Sequence, residues 1–188
     1  GFILKGISPK TKGYADICKL AVQQNGSAIK FVHPKDFYNE NPKEYLEICK
    51  LAVKQNGYAI KDIVSYSHIK EDYIELCKLA VPTYALALQD IPPDTEGYPE
   101  LCKLALMNNG WAIQDISPDV EGYPELCELA VKQEGLALEY INKDLPNYPK
   151  ICKLAVQNNG YILESISPDT EGYPELCKLA VQTNGGVL

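Results

Sequence analysis

Seven cysteines and two histidines are the residues of this sequence that could bind a metal ion or form disulfides. The cysteines recur at spacings of 31, 28, 25, 25, 25 and 25 residues, and their number is odd. They are Cys18, Cys49, Cys77, Cys102, Cys127, Cys152 and Cys177. Regular spacing of this kind predicts equivalent positions in a stacked array of repeats.

Such an array allows neither a disulfide nor a zinc site. Neighbouring equivalent positions lie roughly 8–10 Å apart in stacked helices, whereas a disulfide needs Cα atoms within about 7 Å. Zinc needs four converging ligands, and His33 and His68 lie outside the repeat pattern. We predict free cysteines, buried as small apolar side chains in a reducing compartment, and no metal or cofactor. All seven should react slowly with a thiol reagent in the native protein.

Paired acids offer a second possible chemistry, because two carboxyl groups can serve as general acid and base or as calcium ligands. Asp90 with Asp94 and Asp115 with Asp119 are such pairs. They recur on polar faces and lack the alternating spacing of a calcium loop. The dinucleotide, Walker-type, zinc-protease and nucleophile-elbow motifs do not occur. The sequence therefore predicts no catalytic residue and no enzyme.

The cysteines set the register of seven copies, in which positions are counted from the cysteine. Tyrosine stands at position −4, alanine at +3 and glycine at +8, except that the third copy has Ala85 in place of glycine. The copies start at Tyr14, Tyr45, Tyr73, Tyr98, Tyr123, Tyr148 and Tyr173. A period of this length is typical of solenoids.

Each copy predicts two helices. Apolar residues from −4 to +4 cover about 200 degrees of a helix, which indicates an A helix covered on two sides. Prolines at −3, such as Pro124, suit its first turn. The Asn-Gly pairs at +7 and +8 predict its end, with glycine in the left-handed conformation. A shorter pattern, as in Ala112, Ile113 and Ile116, predicts a B helix packed on the A helix.

The predicted fold is therefore all-α, an α-solenoid of about seven helix-hairpin repeats of 25 residues in a right-handed superhelix. Residues 1–188 form one array, with a partial copy at residues 1–9. Because the chain begins and ends within a copy and neither end has a polar capping unit, we expect it to be a segment of a longer array.

Two regions depart from the repeat. The connectors after copies one and two contain six and three extra residues, which we predict to lie in loops on one face. In copy three, Pro82, Thr83 and Ala85 replace the usual residues, so the A helix should end early or kink and the superhelix should change direction there. Neutral drift in a tolerant loop is the alternative to a functional role.

The charge pattern excludes one class of partner and predicts one interface. The net charge is −7 and every base is lysine, so a nucleic-acid partner is not expected. Copy five has Glu125 and Glu128 where copy six has Lys150 and Lys153. We expect these four side chains to face one another across the repeat boundary. Most other copies carry the i, i+3 pair of an acid at −2 and lysine at +1.

No apolar run approaches the ~20 residues of a membrane span, and no signal peptide opens the chain. The expected location is the cytoplasm, with a virion or the host cytosol as alternatives.

The core Leu-Cys-Lys-Leu-Ala-Val-Lys-Gln-Asn-Gly-Tyr-Ala-Ile, clearest in residues 127–140, resembles a short tandem repeat family known as a domain of unknown function. That family occurs in large DNA viruses, in amoebae and other protists, and in some intracellular bacteria. The resemblance implies a helical repeat with interaction duties and brings no catalytic residue. Six copies meet the pattern, and copy three departs from it.

Three hypotheses about function follow. The first is a non-catalytic scaffold for protein–protein interaction. The second is a structural component of a larger assembly, such as a virion or coat, with other copies of the chain as partners. The third is a regulatory array beside an enzyme domain outside this chain.

The predicted partner surface consists of positions +9, +12 and +13, which vary between copies and lie on one side of the B helix. Its candidate residues are Tyr58, Asp62, Asp90, Trp111, Asp115, Glu139, Tyr140, Tyr161 and Glu164. Aromatic residues beside acids suit a partner with basic and apolar features. The alternative is that the side chain at +9 packs against the preceding connector.

Overall fold

A computed structural model describes residues 2–32, 37, 41–63 and 70–184, and these residues form helices and connectors without a strand. The α-helices are α1 (Tyr14–Gln24), α2 (Pro42–Gln55), α3 (Ile60–Ile63), α4 (Lys70–Ala80), α5 (Tyr98–Asn108), α6 (Tyr123–Gln133), α7 (Tyr148–Asn158) and α8 (Tyr173–Thr183). The 3₁₀-helices are η1 (Phe2–Gly6), η2 (Gly26–Phe31), η3 (Gly57–Ala59), η4 (Ala85–Asp90), η5 (Gly110–Asp115), η6 (Gly135–Tyr140) and η7 (Gly160–Ser165). The all-α prediction is confirmed.

The longer α-helices are the predicted A helices, and every one of them except α2 has 11 residues. In α6, the apolar positions Tyr123, Leu126, Cys127, Ala130 and Val131 are buried. The proline at −3 lies in the first turn, where the missing N–H has no intrahelical acceptor to lose. The pattern of apolar residues therefore sets both the start of the helix and its buried face.

The predicted B helices are mostly 3₁₀-helices of six residues. In copy two, the helix begins as η3 and continues as the α-helix α3. The apolar residues that a B helix buries stand at the same positions from copy to copy, as with the buried pair Ala112 and Ile113. A 3₁₀-helix has three residues per turn, so positions +9 and +12 lie one above the other.

The chain divides into two compact units, residues 1–101 and 102–188. In the first unit, α1 packs against α2 and α2 against α4, while η2 packs on α2. In the second unit, α6 packs against α7 and α7 against α8. The B helices η5, η6 and η7 pack on α6, α7 and α8, each on the A helix of the following copy. Within each unit, therefore, neighbouring copies share one continuous core.

The predicted left-handed glycine at the end of the A helix is wrong. The residue at +7 is extended, with φ −153° and ψ 108° at Asn109, and the glycine at +8 begins the B helix without a positive φ. The left-handed glycines are Gly13, Gly97, Gly122 and Gly172, each directly before a helix-starting tyrosine. Glycine is needed there because other residues adopt positive φ at a steric cost.

The glycine at +8 is required for a different reason, which is close approach between copies. A Cβ atom at Gly57 would lie 2.4 Å from the Ala80 carbonyl oxygen, and one at Gly135 would lie 2.8 Å from that of Ala155. The contacted residue is always the alanine at +3 of the next copy, which is fully buried in these cases. The two small residues of the repeat pattern therefore form one inter-copy contact.

Hydrogen bonds from the glycine N–H strengthen this contact in several copies. Gly26 donates to the side-chain oxygen of Gln55 at 2.6 Å, and Gly135 donates to that of Asn158 at 2.8 Å. Gly160 donates to Asn184 at 2.7 Å. The polar residues that close each A helix thus also satisfy a backbone donor of the preceding copy.

Copy three ends its A helix early, as predicted. Helix α4 stops at Ala80, position +3, whereas the other A helices end at +6. The Thr83 hydroxyl donates to the Ala80 carbonyl at 2.8 Å, and the Tyr84 N–H donates to the same oxygen at 3.0 Å. Pro82 lacks an N–H and cannot continue the helical hydrogen bonds. The change of superhelical direction stays a prediction.

Of the insertion after copy one, the structure describes Phe37, which contributes to the core. Phe37 is buried, and its ring lies edge-on to Tyr14 with the centroids 5.3 Å apart. His33 and His68 lie outside the described residues, as do Asp36, Tyr38 to Glu40 and the whole insertion after copy two. The fold of the remaining insertion residues therefore stays a prediction.

Candidate functional site

The residues predicted to contact a partner all lie on B helices. Tyr58, Tyr140 and Tyr161 are exposed by 39%, 48% and 55%, and Glu139 and Glu164 are also exposed. Asp62, Asp90, Trp111 and Asp115 are half-buried. Exposed tyrosine rings on consecutive short helices are suited to contact another molecule, because large aromatic side chains bury much apolar area for little lost rotamer entropy.

In the second unit, three consecutive B helices, η5, η6 and η7, bring these residues together. The ring of Trp111 in η5 packs edge-on against Tyr140 in η6, with centroids 5.8 Å apart. The Ser165 hydroxyl in η7 donates to Glu139 Oε1 in η6 at 3.4 Å. Positions +9, +12 and +13 of successive copies therefore contact one another. We call this surface the second-unit strip, and its residues are Trp111, Asp115, Glu139, Tyr140, Tyr161 and Glu164.

In the first unit, the equivalent residues contact lysines of the same chain. The Lys61 ammonium group lies 5.4 Å from the centroid of the Tyr58 ring and donates to the Tyr58 hydroxyl at 3.2 Å. The Lys30 ammonium group lies 5.2 Å from the centroid of the Phe31 ring. We call this surface the first-unit strip, and its residues are Lys30, Phe31, Tyr58, Lys61, Asp62, Tyr84 and Asp90.

Charge and burial shift two pKa values in the first-unit strip. The hydrogen bond to Tyr58 raises the pKa of Lys61, so its ammonium group stays charged. Burial raises the pKa of Asp62, while the nearby Lys30 and Lys61 charges lower it. The charges of Lys30 and Lys61 therefore offset the negative charge of the partly buried Asp62 carboxylate, and the aromatic rings lie beside these groups.

Three members of the first-unit strip, Lys30, Phe31 and Tyr84, were missed by the sequence prediction. Tyr84 packs edge-on against Tyr58, with ring centroids 5.7 Å apart. It stands at +7, where Asn56, Asn109 and Asn159 each accept a hydrogen bond from the N–H two residues later. The replacement of a capping amide by an aromatic ring was the available signal. Lys30 was missed because copy one was left out of the comparison at +12.

The cysteines do not form a reactive site. Six are buried thiols outside any disulfide, while Cys177 is half-buried, so the expected burial of all seven is corrected at this position. Burial raises the pKa of Cys49 to about 12 and those of Cys77 and Cys127 to about 11. A thiol with such a pKa contains little thiolate at neutral pH and reacts slowly.

The paired acids are divided between a B helix and the connector that follows it. Asp115 is half-buried in η5, whereas Asp119 is exposed. The Asp119 N–H donates to the Ser117 hydroxyl at 3.3 Å, which is a local turn interaction. Within the described ranges, no group of three or more His, Cys, Asp or Glu side chains is placed to hold a metal ion.

Two grooves of the second unit lie apart from the strip. One, of about 430 Å³, lies beside α7 and α8 and is lined by residues that include Lys153, Glu175 and Leu179. The other, of about 400 Å³, lies between the connectors that precede α7 and α8 and includes Leu145 and Thr170. Neither groove is lined by a residue of the second-unit strip.

Comparison with known families gives one match. Residues 123–170, which span copies five and six, match a family described as a domain of unknown function (DUF4116). The chain has no match among curated proteins or among solved structures. Across the part of the chain that the structure describes, no helix has the length and apolar character needed to cross a membrane.

Proposed function

We propose that the chain is a non-catalytic scaffold for protein–protein interaction, built as an α-solenoid of about seven helix pairs. The observation that carries the proposal is the second-unit strip, where exposed or half-buried aromatic and acidic side chains lie on three consecutive B helices. Aromatic residues are the types that most often anchor protein interfaces. Charged residues around them set the specificity of the partner.

The repeated contacts within each unit support the solenoid part of the proposal. In both units, the B helix of one copy packs on the A helix of the next. The approach of the glycine at +8 to the alanine at +3 recurs in both, as in Gly26 with Ala52 and Gly160 with Ala180. Because each copy buries its apolar face against the next, the A helices supply the core and leave the B-helix surface open for a partner.

Affinity capture with strip variants tests this function. The wild-type chain and a Trp111→Ala/Tyr161→Ala double variant are immobilised, and proteins retained from a cell extract are quantified by mass spectrometry. We expect the variant to lose the retained proteins while its melting temperature stays close to that of the wild type. Leu20→Ala is the matched control, because Leu20 is 63% exposed and lies on α1, outside the strip.

Three outcomes would contradict the proposal. Equal retention by wild type and double variant would show that the strip is not the partner surface. A large fall in melting temperature with retention unchanged would assign Trp111 and Tyr161 to the core. If the wild-type chain retained only copies of itself, the array would be a component of an assembly instead.

A further inference from the structure

One register position distinguishes the two strips. At position +12 the first unit has Lys30 and Lys61, and copy three has Gln89. The second unit has Gln114, Glu139 and Glu164 at the same position. Since +12 lies above +9 on the same side of the B helix, its charge acts on any aromatic ring at +9.

The first unit shows what binds to a ring in this setting. Lys61 at +12 places its ammonium group at the hydroxyl end of Tyr58 at +9, 5.4 Å from the ring centroid, and donates to that hydroxyl. Lys30 at +12 lies over the ring of Phe31. Aromatic faces attract cations through their quadrupole. The first unit therefore places lysines of the same chain next to its own aromatic rings.

The second unit has the same rings without the cation. Tyr161 at +9 has Glu164 at +12, where Tyr58 has Lys61. The segments 110–115, 135–140 and 160–165 contain Asp115, Glu139 and Glu164 and no lysine. The rings of Tyr140 and Tyr161 are more exposed than that of Tyr58. Open aromatic faces beside carboxylates are electrostatically complementary to a cation.

We propose that the second-unit strip binds a basic peptide segment of the partner protein, whose lysine or arginine side chains lie over Tyr140 and Tyr161. In this arrangement the partner supplies the cation that Lys61 supplies to Tyr58 in the first unit. Glu139 and Glu164 pair with the same cations, and the half-buried Trp111 contacts the apolar part of the segment. The inference rests on the proposed function and names the chemical class of the partner.

A peptide titration tests the proposal with the full chain. The probe is a fluorescent synthetic peptide of alternating lysine and glycine, and its acidic counterpart alternates glutamate and glycine. Fluorescence anisotropy should show binding of the lysine peptide alone, weakened by added salt. Tyr161→Ala should weaken binding by about two- to fivefold, the range for a cation on an exposed aromatic face. Tyr58→Ala is the matched ring control and should leave binding unchanged.

Charge-reversal variants distinguish binding of the lysine peptide at a defined surface from its general attraction to an acidic protein. Glu164→Lys should weaken binding by about tenfold, because its lysine repels the peptide and places a positive charge beside Tyr161, as Lys61 does beside Tyr58. Glu171→Lys makes the same charge change at an exposed connector residue of the same unit, and it should weaken binding by less than about twofold. Lys61→Glu should create additional binding in the first unit, because it replaces the positive charge beside Tyr58 with a carboxylate.

Several results would overturn the inference. Equal weakening by Glu164→Lys and Glu171→Lys would reduce the effect to net charge, and full binding by Tyr161→Ala would remove the role of the ring. Binding of the acidic peptide in place of the basic one would reverse the partner class. If the lysine peptide fails to bind while Trp111→Ala/Tyr161→Ala still abolishes protein capture, the partner class falls and the interaction function remains.

Discussion

The two units have the same kind of contact between neighbouring copies and present different surfaces. In each, an alanine at +3 and a glycine at +8 make the contact between neighbouring copies, and the cysteine beside them is buried in most copies. At +12, however, Lys61 of the first unit contacts the ring of Tyr58, whereas the second unit has Glu164 next to Tyr161. The alanine and glycine that hold copies together are therefore separate from the residues that set the charge of the B-helix surface.

The ion pairs between A helices differ between the units in a related way. In the first unit, Lys19 pairs with Glu47 and Lys50 with Glu75, so the base is at +1 and the acid at −2 of the next copy. In the second unit, Glu128 at +1 pairs with Lys150 at −2, at 2.8 Å. The predicted meeting of copies five and six is confirmed for this pair. The geometry of the boundary is kept, and the polarity of the pair is inverted.

The largest effect is expected from adding a Cβ atom at +8. Gly57→Ala and Gly135→Ala should each lower the free energy of unfolding by about 1–3 kcal/mol, the usual range for overpacking a close contact. Gly57→Ala should cost more, because its Cβ would lie 2.4 Å from the Ala80 carbonyl oxygen and also 2.4 Å from the Thr83 hydroxyl. Urea denaturation followed by circular dichroism measures both values.

Gly6→Ala is the control for that pair of variants. A Cβ at Gly6 has no other atom within 4 Å, so the change should leave the free energy of unfolding within about 0.5 kcal/mol of wild type. If Gly57→Ala lowered the free energy of unfolding and Gly135→Ala did not, the two units would not share the same contact between copies.

The regular part of this architecture was predictable from the sequence because it depends on short-range periodicity. The spacing of apolar residues predicted the A helices and their buried faces, and Pro82 predicted the early end of α4. The B helices were predicted as helices, and their 3₁₀ geometry was not. Short segments differ little in apolar pattern between the two helix types, so packing on the next A helix decides.

Features that depend on contacts between copies were not readable from one copy. The glycine at +8 was misinterpreted because Asn-Gly is a strong local signal for a left-handed cap, while its true requirement is the Ala carbonyl of the next copy. Tyr84 was overlooked because its partner, Tyr58, is 26 residues earlier in the chain. The candidate surface followed from register alone, but the lysine–ring contacts needed coordinates.

A smaller effect is expected at alkaline pH, and it should be larger for the first unit. Burial raises the pKa of Cys49 from its ordinary value of 9.0 to about 12, and that of Cys127 to about 11. Because the folded pKa lies above the unfolded one, the stabilisation is complete below pH 9.0 and is lost as pH rises towards 11–12.

Urea denaturation at a series of pH values checks this expectation. Above pH 9.0, Cys49→Ala should reduce the pH dependence of the free energy of unfolding more than Cys127→Ala does, because the Cys49 window is wider. Cys177→Ala serves as the half-buried comparison. Identical slopes for Cys49→Ala and wild type would show that this thiol ionises equally in both states.

The smallest effect concerns the inverted ion pair. Glu128 Oε1 also accepts from the Asn147 amide at 3.1 Å, and its side chain is 15% exposed, against 65% for Lys150. Glu128→Lys should lower the free energy of unfolding by about 0.2–1 kcal/mol, as for other pairs near a surface. Adding Lys150→Glu should restore most of that loss, since the double variant has the polarity of Lys50 with Glu75.

The pH dependence gives this prediction its sign. The hydrogen bond from Lys150 lowers the pKa of Glu128 below its ordinary value of 4.5, so the contribution is present above pH 4.5 and is lost as pH falls through the folded pKa. A double-mutant cycle at neutral pH and again below the folded pKa should therefore give a coupling energy that disappears in acid. If the double variant lost as much free energy of unfolding as the two single variants together, the boundary between copies five and six would not tolerate an inverted ion pair. The Asn147 contact would then hold the second unit to its own polarity, and the two units would differ in scaffold as well as in surface.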